Sequence, residues 1–344
     1  MKLLSTKVKQ LLVLYVIYNK SFEPVFPKDL TSTVQYSDSV KLFCTLLSDF
    51  ANVSLRKIST ILGYFTDTHG TSIGSIDNWK KEIYSKCYKV VKKLKRLILK
   101  SPVINNDETP INVSGNKFRY CIGAFTDNIS SIQTFKNRRL KSFEDMGILP
   151  KYTGVVTSDH YSSYYHFKNV KNSECNVYIS RELKYIIELA QRPSALNLYN
   201  HLYSIKKFVD DSTEGKLSDE QYHDAFNKWI SILDKWDEEF DDASKYKSHK
   251  YFNDERKLKN RLRKYAENHL MFAKVPYVKF DNNLAERGLR TAKSKLKACT
   301  CFRSFKNLEG YSNFQSIIGI AVKNNLNPIH ILKEIFNNNF LIKE

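Results

Sequence analysis

The stretch between residues 103 and 159 constrains the fold of this chain most, because β-type segments and a helical segment alternate there. Four short segments are rich in β-forming side chains and bounded by turn residues: 103–109, 118–125, 132–135 and 154–159. The first three follow one another closely and predict an antiparallel meander. A short helix predicted over 139–148 leads into the fourth, which is typical of a crossover to a parallel neighbour. The predicted fold class is therefore α/β, with a mixed sheet.

Helical patterns occupy most of the remaining sequence. Apolar side chains recur at helical spacing through the first hundred residues, and no convincing strand occurs over 181–270. A last helix is predicted at Asn327-Pro328, since Asn caps helices and Pro is favoured at their first position. The predicted organisation has four parts: a helical region over 1–100, a core over 101–336, a helical insertion within that core at about 181–275, and a tail at 337–344.

The N-terminal region contains three short amphipathic helical segments, with a break at Gly70 before the third. This order predicts a helix-turn-helix over about residues 36–88. Four side chains would then lie on the exposed side of the third helix, where bases and phosphates are contacted: Asp77, Asn78, Lys80 and Lys81. An ordinary small helical bundle with a solvated face explains the same pattern.

A strongly basic helical segment follows. Residues 80–100 carry nine basic residues and one acid, Glu82, while an apolar stripe continues through them. The scarcity of acids indicates a linker helix that faces phosphates. A helix face that is merely solvated is the alternative.

The chain as a whole is basic. It has 55 Lys and Arg against 36 Asp and Glu, a net charge of +19 over 344 residues. Such a charge favours nucleic acid as the partner. The acids concentrate in residues 210–255, which hold 14 of them and six Lys. We expect helices there whose exposed faces avoid DNA.

Signals for secretion or membrane insertion are weak. The apolar run Leu11–Tyr18 has eight residues, far below the roughly 20 that a membrane span needs, and no small-residue cleavage site follows it. We therefore expect a core helix there, no membrane partner and a cytoplasmic location. The six cysteines form no CxxC pair, so the sequence indicates neither a zinc ribbon nor a disulfide framework.

Three carboxylates stand at positions suited to chemistry. Asp107 ends the first predicted strand, Asp159 ends a later buried strand, and Glu286 lies on the helix after the insertion. Strand-end carboxylates converge at one edge of an α/β sheet, and three of them offer hard oxygen ligands for Mg²⁺ or Mn²⁺. A pair of such ions activates the nucleophile and stabilises the leaving oxygen at a phosphodiester. Taken singly, each acid also fits a structural turn or cap.

The predicted helix of Glu286 is also basic. Four cations share one side of it at near-helical spacing: Arg287, Arg290, Lys293 and Lys297. We expect them to contact backbone phosphates of DNA beside the carboxylates. A solvated basic face is the alternative.

Three motifs make the chain resemble the DDE transposases of the insertion-sequence-66 family. Asp107–Thr109 is similar to the family's "DET" segment, and Asp159–Tyr164 is similar to its "DGYxxY" segment. The longest match, Asp281–Arg290, is similar to "DNNxAERxLR". Upstream, Ile76–Trp79 is similar to the family's helix-turn-helix region, and the resemblance extends over about residues 36–336.

The resemblance implies a ribonuclease-H-like catalytic core in which Asp107, Asp159 and Glu286 form the metal-binding triad. It also implies a helical insertion between the second and third acids. The implied activity is cleavage at transposon ends and strand transfer to target DNA, with Mg²⁺ or Mn²⁺, and we expect a homo-oligomer on the DNA. The alternatives are an inactive transposase remnant, a ribonuclease-H-type nuclease and a non-enzymatic helix-turn-helix DNA-binding protein.

The chain departs from the family pattern at three places near these motifs. Asn106 stands where the family usually has His before the first Asp, and His160 replaces the Gly after the second. Tyr178 replaces the His of the family's "CWAH" segment. None of these differences removes an acid of the predicted triad.

Overall fold

The computed structural model describes residues 36–66, 70–115, 117–244 and 251–340. The core helix predicted at Leu11–Tyr18 lies outside these residues, and so do residues 341–344 of the predicted tail. The chain divides into two compact units. Among the described residues, one unit comprises 36–66, 70–94, 111–115, 117–119 and 291–340, and the other comprises 95–110, 120–244 and 251–290.

The first unit is built mainly from helices. Three come from the N-terminal region: α1 (Asp38–Asp49), α2 (Leu55–Thr66) and α3 (Ile73–Lys100). Apolar side chains from all three, including Val40, Ile58 and Ile76, are buried together. The helical prediction for this region is therefore confirmed for its described residues, whereas the helix-turn-helix stays a prediction.

The break before α3 requires glycine. Gly70 has a φ of +81°, and a Cβ there would lie 2.3 Å from the carbonyl oxygen of Ser59. After the break, α3 runs without interruption over 28 residues. The third helix and the basic linker helix predicted separately are thus one continuous helix.

The second unit contains most of a five-stranded mixed sheet. Its strands are β1 (Val103–Val113), β2 (Lys117–Phe125), β3 (Ser130–Phe135), β4 (Val155–Ser158) and β5 (Lys171–Glu174). The order across the sheet is β3-β2-β1-β4-β5. β2 pairs antiparallel with β3, whereas β4 pairs parallel with both β1 and β5. This confirms the mixed α/β sheet, an arrangement consistent with a ribonuclease-H-like core.

Two features of the sheet differ from the sequence predictions. β1 continues to Val113, so Asp107 lies within the strand instead of at its end. However, β1 pairs with β4 only over Val103–Asn105, so Asp107 lies just beyond that paired part. β5 was not predicted, because its four residues, Lys-Asn-Ser-Glu, carry no apolar pattern.

Helices cover both faces of the sheet. Between β3 and β4 lie α4 (Leu140–Met146) and a 3₁₀ turn, Leu149–Lys151, and a second 3₁₀ turn, Ser162–His166, precedes β5. Ile104, Val156, Phe143 and Met146 share one apolar cluster, which covers one face of the sheet. Val155 points to the opposite face, where it joins the cluster of the helices that follow β5.

The chain after β5 is helical, as predicted. The helices are α5 (Asn176–Ala190), α6 (Pro193–Asp211), α7 (Asp219–Ser244), α8 (Tyr251–Lys264), α9 (Ala266–His269) and α10 (Met271–Lys274). Trp229 and Trp236 of α7 are fully buried among them. The acidic segment is partly neutralised inside this layer, since Asp237 pairs with Lys259 at 2.5 Å and with Arg263 at 2.6 Å.

Three helices complete the chain: α11 (Asn283–Cys299), α12 (Phe305–Lys323) and α13 (Pro328–Phe336). The predicted start of α13 is confirmed, because the Asn327 side chain accepts a hydrogen bond from the amide of Ile329 at 2.9 Å. Ser304 caps α12 in the same way, accepting from the amide of Asn307 at 3.1 Å.

The buried His269 should make the stability of the protein pH-dependent. Its Nδ1 donates to the Asn176 side chain at 3.2 Å, and burial lowers its pKa to about 4. Because the unfolded imidazole titrates near 6.5, the unfolded state binds more protons between pH 6.5 and 4. The free energy of unfolding is therefore expected to fall by about 3 kcal/mol as the pH drops through that window. Urea titrations of the wild type and His269→Leu test this; an equally steep fall in both proteins would contradict it.

Candidate active site

The first predicted acid, Asp107, lies on β1 beside a second carboxylate. Its Oδ1 accepts a hydrogen bond from the Glu108 amide at 2.8 Å. The Glu108 side chain is almost completely buried, where Arg138 donates to its Oε1 at 3.2 Å and Tyr164 to its Oε2 at 2.8 Å. Burial, together with the charges of Asp159 and Asp107, raises the pKa of Glu108 to about 7. Glu108 is not among the predicted site residues, although it belongs to the "DET" segment.

The second acid, Asp159, follows β4 directly. Its Oδ1 is buried and has no hydrogen-bond partner among the described residues. Burial raises the pKa of Asp159, and the negative charge of Glu174 adds to that effect, while Arg138 and His160 oppose it. A cation bound close to this carboxylate would therefore strongly stabilise its charged form.

The third acid, Glu286, lies on the first turn of α11. The hydroxyl of Tyr178, on the first turn of α5, donates to its Oε1 at 3.0 Å. Tyr178 is one of the departures from the family pattern, and it contacts a member of the predicted triad.

Asn282 holds the beginning of α11 against β1. This buried side chain accepts from Asn105 Nδ2 at 3.0 Å and donates to the carbonyl oxygen of Asn106 at 2.7 Å. The backbone amide of Asn282 donates to Cys175 Sγ at 3.3 Å. Asp281 caps the helix by accepting from the Asn283 amide at 2.9 Å. Asn282 thus positions Glu286, which lies one helical turn further along the chain.

Electrostatic coupling connects the three acids through their neighbours. Glu108 experiences the charges of both Asp107 and Asp159. Burial raises the pKa of Tyr178, and Glu286 and Asp107 raise it further. Nevertheless, among the described residues no three His, Cys, Asp or Glu side chains lie close enough to hold a metal ion together. The triad therefore stays a prediction.

The exposed position predicted for Lys80 is wrong. Its side chain is buried in the first unit, where its ammonium lies 2.8 Å from Asp49 Oδ1 and 2.8 Å from Ser48 Oγ. The helical period places Lys80 on the same face of α3 as Ile76 and Tyr84, which are both buried. Lys80 is therefore unavailable to DNA.

The other side chains predicted to contact DNA on α3 are accessible. Asn78 and Lys81 are exposed, and Asp77 is half-buried. Asp77 pairs with Lys81 at 2.6 Å, one turn further along the helix.

The four cations after Glu286 all lie on α11 and are all exposed: Arg287, Arg290, Lys293 and Lys297. Arg287 Nε donates to the carbonyl oxygen of Asn283 at 3.3 Å, which directs its side chain back along the helix. Their contact with DNA stays a prediction.

One protein family matches most of the chain. The family model described as "Transposase IS66 family" matches residues 55–309. No curated protein matches the chain. No helix of the described residues is long and apolar enough to cross a membrane.

Proposed function

Because the chain belongs to the transposase IS66 family, we propose that it is a DNA transposase that cuts transposon ends and joins them to target DNA. The match to residues 55–309 carries this proposal, since it spans both the basic N-terminal helices and all three predicted catalytic acids. The net charge of +19 supports DNA as the partner.

Asp107, Asp159 and Glu286 are proposed to hold Mg²⁺ or Mn²⁺, with two ions at the reacting phosphodiester. Their carboxylate oxygens are the hard ligands that these ions prefer. The buried Oδ1 of Asp159 supports this assignment, because among the described residues no hydrogen-bond donor reaches it and a metal ion would supply it with a partner. Divalent ions would activate the attacking oxygen and neutralise charge on the leaving oxygen.

The side chains around the acids have positioning roles in this proposal. Tyr178 orients the Glu286 carboxylate, and Asn282 holds the helix that carries it. Water attacks the phosphodiester at the transposon end and releases a 3′-hydroxyl. That hydroxyl then attacks a phosphodiester of the target DNA, so each step breaks one P–O bond and forms another.

The DNA surface is proposed to include α3 and α11. Asn78 and Lys81, with the neighbouring Asp77, would face the transposon end, and the exposed cations of α11 would contact phosphates. Since a transposition event joins two ends, we propose that two copies of the chain act together on the DNA.

Purified protein incubated with Mg²⁺ and DNA from both flanks of its gene tests the proposed function. We expect nicks with free 3′-hydroxyls at the element ends, and joined products when target DNA is added. Reactions with EDTA are the control. Cleavage without end preference or joining would instead favour a nuclease, and DNA binding without any cleavage would favour a remnant or a binding protein.

Neutralising cations of α11 should reduce the salt dependence of DNA binding. Each lost phosphate contact lowers the slope of log affinity against log salt by about 0.9, so the double variant Arg287→Gln, Lys293→Gln is expected to lower it by about 2. The matched control is Lys235→Gln, which removes an exposed cation from the acidic helix α7. Gel-shift titrations at several salt concentrations measure the slopes, and equal slopes in all three proteins would exclude these two α11 side chains from the DNA surface.

A further inference from the structure

Three aromatic rings meet beside Asp159. The ring of His160 lies 4.7 Å from that of Tyr265 and 5.7 Å from that of Tyr165, measured between centroids. Tyr165 and Tyr265 lie 4.8 Å apart. His160 and Tyr165 come from the connection between β4 and β5, whereas Tyr265 lies between α8 and α9.

A buried carboxylate fixes two of these rings. His160 Nδ1 lies 2.7 Å from Glu174 Oε1, and the Tyr165 hydroxyl donates to the same oxygen. The Glu174 side chain is only 3% exposed, because it lies at the end of β5 beneath the rings. His160 Nδ1 and the Tyr165 hydroxyl are therefore held toward the protein interior.

The other side of the rings borders an open cavity of about 330 Å³. Ser162, His166 and Lys168 complete its lining with His160, Tyr165 and Tyr265. His166 and Lys168 are exposed, and the Tyr165 and Tyr265 side chains are only half-buried. The cavity therefore combines accessible aromatic surface with cationic and hydrogen-bonding groups at its rim.

We propose that this cavity binds an unpaired base of the DNA substrate. Aromatic rings stack on any base, and a rim cation such as Lys168 suits the adjoining phosphate. The location supports a DNA ligand, because His160, which lines the cavity, directly follows the predicted metal ligand Asp159 in the chain. This inference rests on the proposed function and adds to it a site that recognises DNA distorted near the reacting phosphodiester.

Packing of the rings against one another explains their distances but leaves the cavity without a role. A base-binding role predicts that a ring is needed at Tyr265, whereas a packing role needs only an apolar side chain of similar size. The variants Tyr265→Leu and Tyr265→Phe separate the two, because only the second keeps an aromatic face.

The test uses the full chain in EDTA, so that binding is measured without cleavage. Two duplex probes from the transposon end are compared, one fully paired and one with a single unpaired 2-aminopurine. The wild type is expected to quench the 2-aminopurine fluorescence and to bind the unpaired probe about tenfold more tightly than the paired one. Tyr265→Phe should retain both effects, and Tyr265→Leu should lose them while binding the paired probe normally. Tyr185→Leu, which removes an exposed ring from α5, is the matched control.

A second measurement does not depend on the folding of any variant. Ultraviolet crosslinking of wild-type protein to a probe with an unpaired 5-iodouracil should attach the base to a peptide that contains His160, Tyr165 or Tyr265. The cavity proposal would be overturned if the wild type bound the paired probe normally but showed no fluorescence quenching, no preference for the unpaired probe and none of these crosslinks. The transposase proposal would still stand after that result. Failure of the wild type to bind either probe would contradict the proposed function itself.

Discussion

Replacing Glu286 by Gln is expected to abolish metal-dependent cleavage of DNA while leaving DNA binding intact. Gln keeps the shape of Glu and still accepts a hydrogen bond from Tyr178, but it removes a negative charge from a site with few protein ligands. Metal occupancy should therefore fall sharply. DNA affinity comes mainly from Lys and Arg on phosphates, which this substitution leaves unchanged.

The measurement pairs a cleavage assay in Mg²⁺ with a gel shift of the same end-bearing duplex at fixed salt. Glu188→Gln removes an exposed carboxylate from α5 and should cleave like the wild type. If Glu286→Gln cleaves normally, Glu286 is not the third ligand, and Asp281 becomes the next candidate because it lies just before α11.

Replacing Asp49 by Asn is expected to lower the free energy of unfolding by about 3–5 kcal/mol. The fully buried Asp49 carboxylate lies 2.8 Å from Lys80 Nζ and 3.3 Å from Lys295 Nζ, and Tyr84 donates to it at 2.5 Å. Burial alone would raise the pKa of Asp49, but the two ammonium groups outweigh it and hold the pKa below its ordinary value. In the Asn variant, the largely buried ammonium groups of Lys80 and Lys295 lose the negative charge that compensates their positive charges.

Urea titration monitored by circular dichroism measures this loss. Asp38→Asn is the matched control, because Asp38 makes an exposed pair with Lys41 on the same helix, and exposed pairs contribute only about 0–1 kcal/mol. A similar small effect of both substitutions would show that the buried cluster contributes little to stability.

The helices and strands were largely predictable because their signals are local. Apolar spacing of three to four residues marked α1–α3, and the Asn-Pro pair marked the start of α13. β5 could not be predicted, because prediction needs a local signal and the four polar residues of β5 carry no local pattern. It exists because β4 offers it a parallel edge.

The candidate site was predictable only in part. Motifs predicted Asp107, Asp159 and Glu286 as site residues, yet the sequence did not indicate that Glu108 is buried between Arg138 and Tyr164. Arg138 and Tyr164 lie 30 and 56 positions from Glu108 along the chain, and no periodicity relates side chains at such separations. A carboxylate beside a predicted catalytic Asp was the only available signal.

The sequence by itself determined the types of secondary structure, the basic character of the chain and the motifs that identify its family. These depend on residues close together along the chain, whose spacing and charge are independent of the final packing. Only the tertiary structure decided which polar groups are buried and what they contact. Lys80 illustrates the difference: its sequence surroundings predict a solvated cation, but packing of α3 brings it against Asp49, and a buried carboxylate requires such a partner.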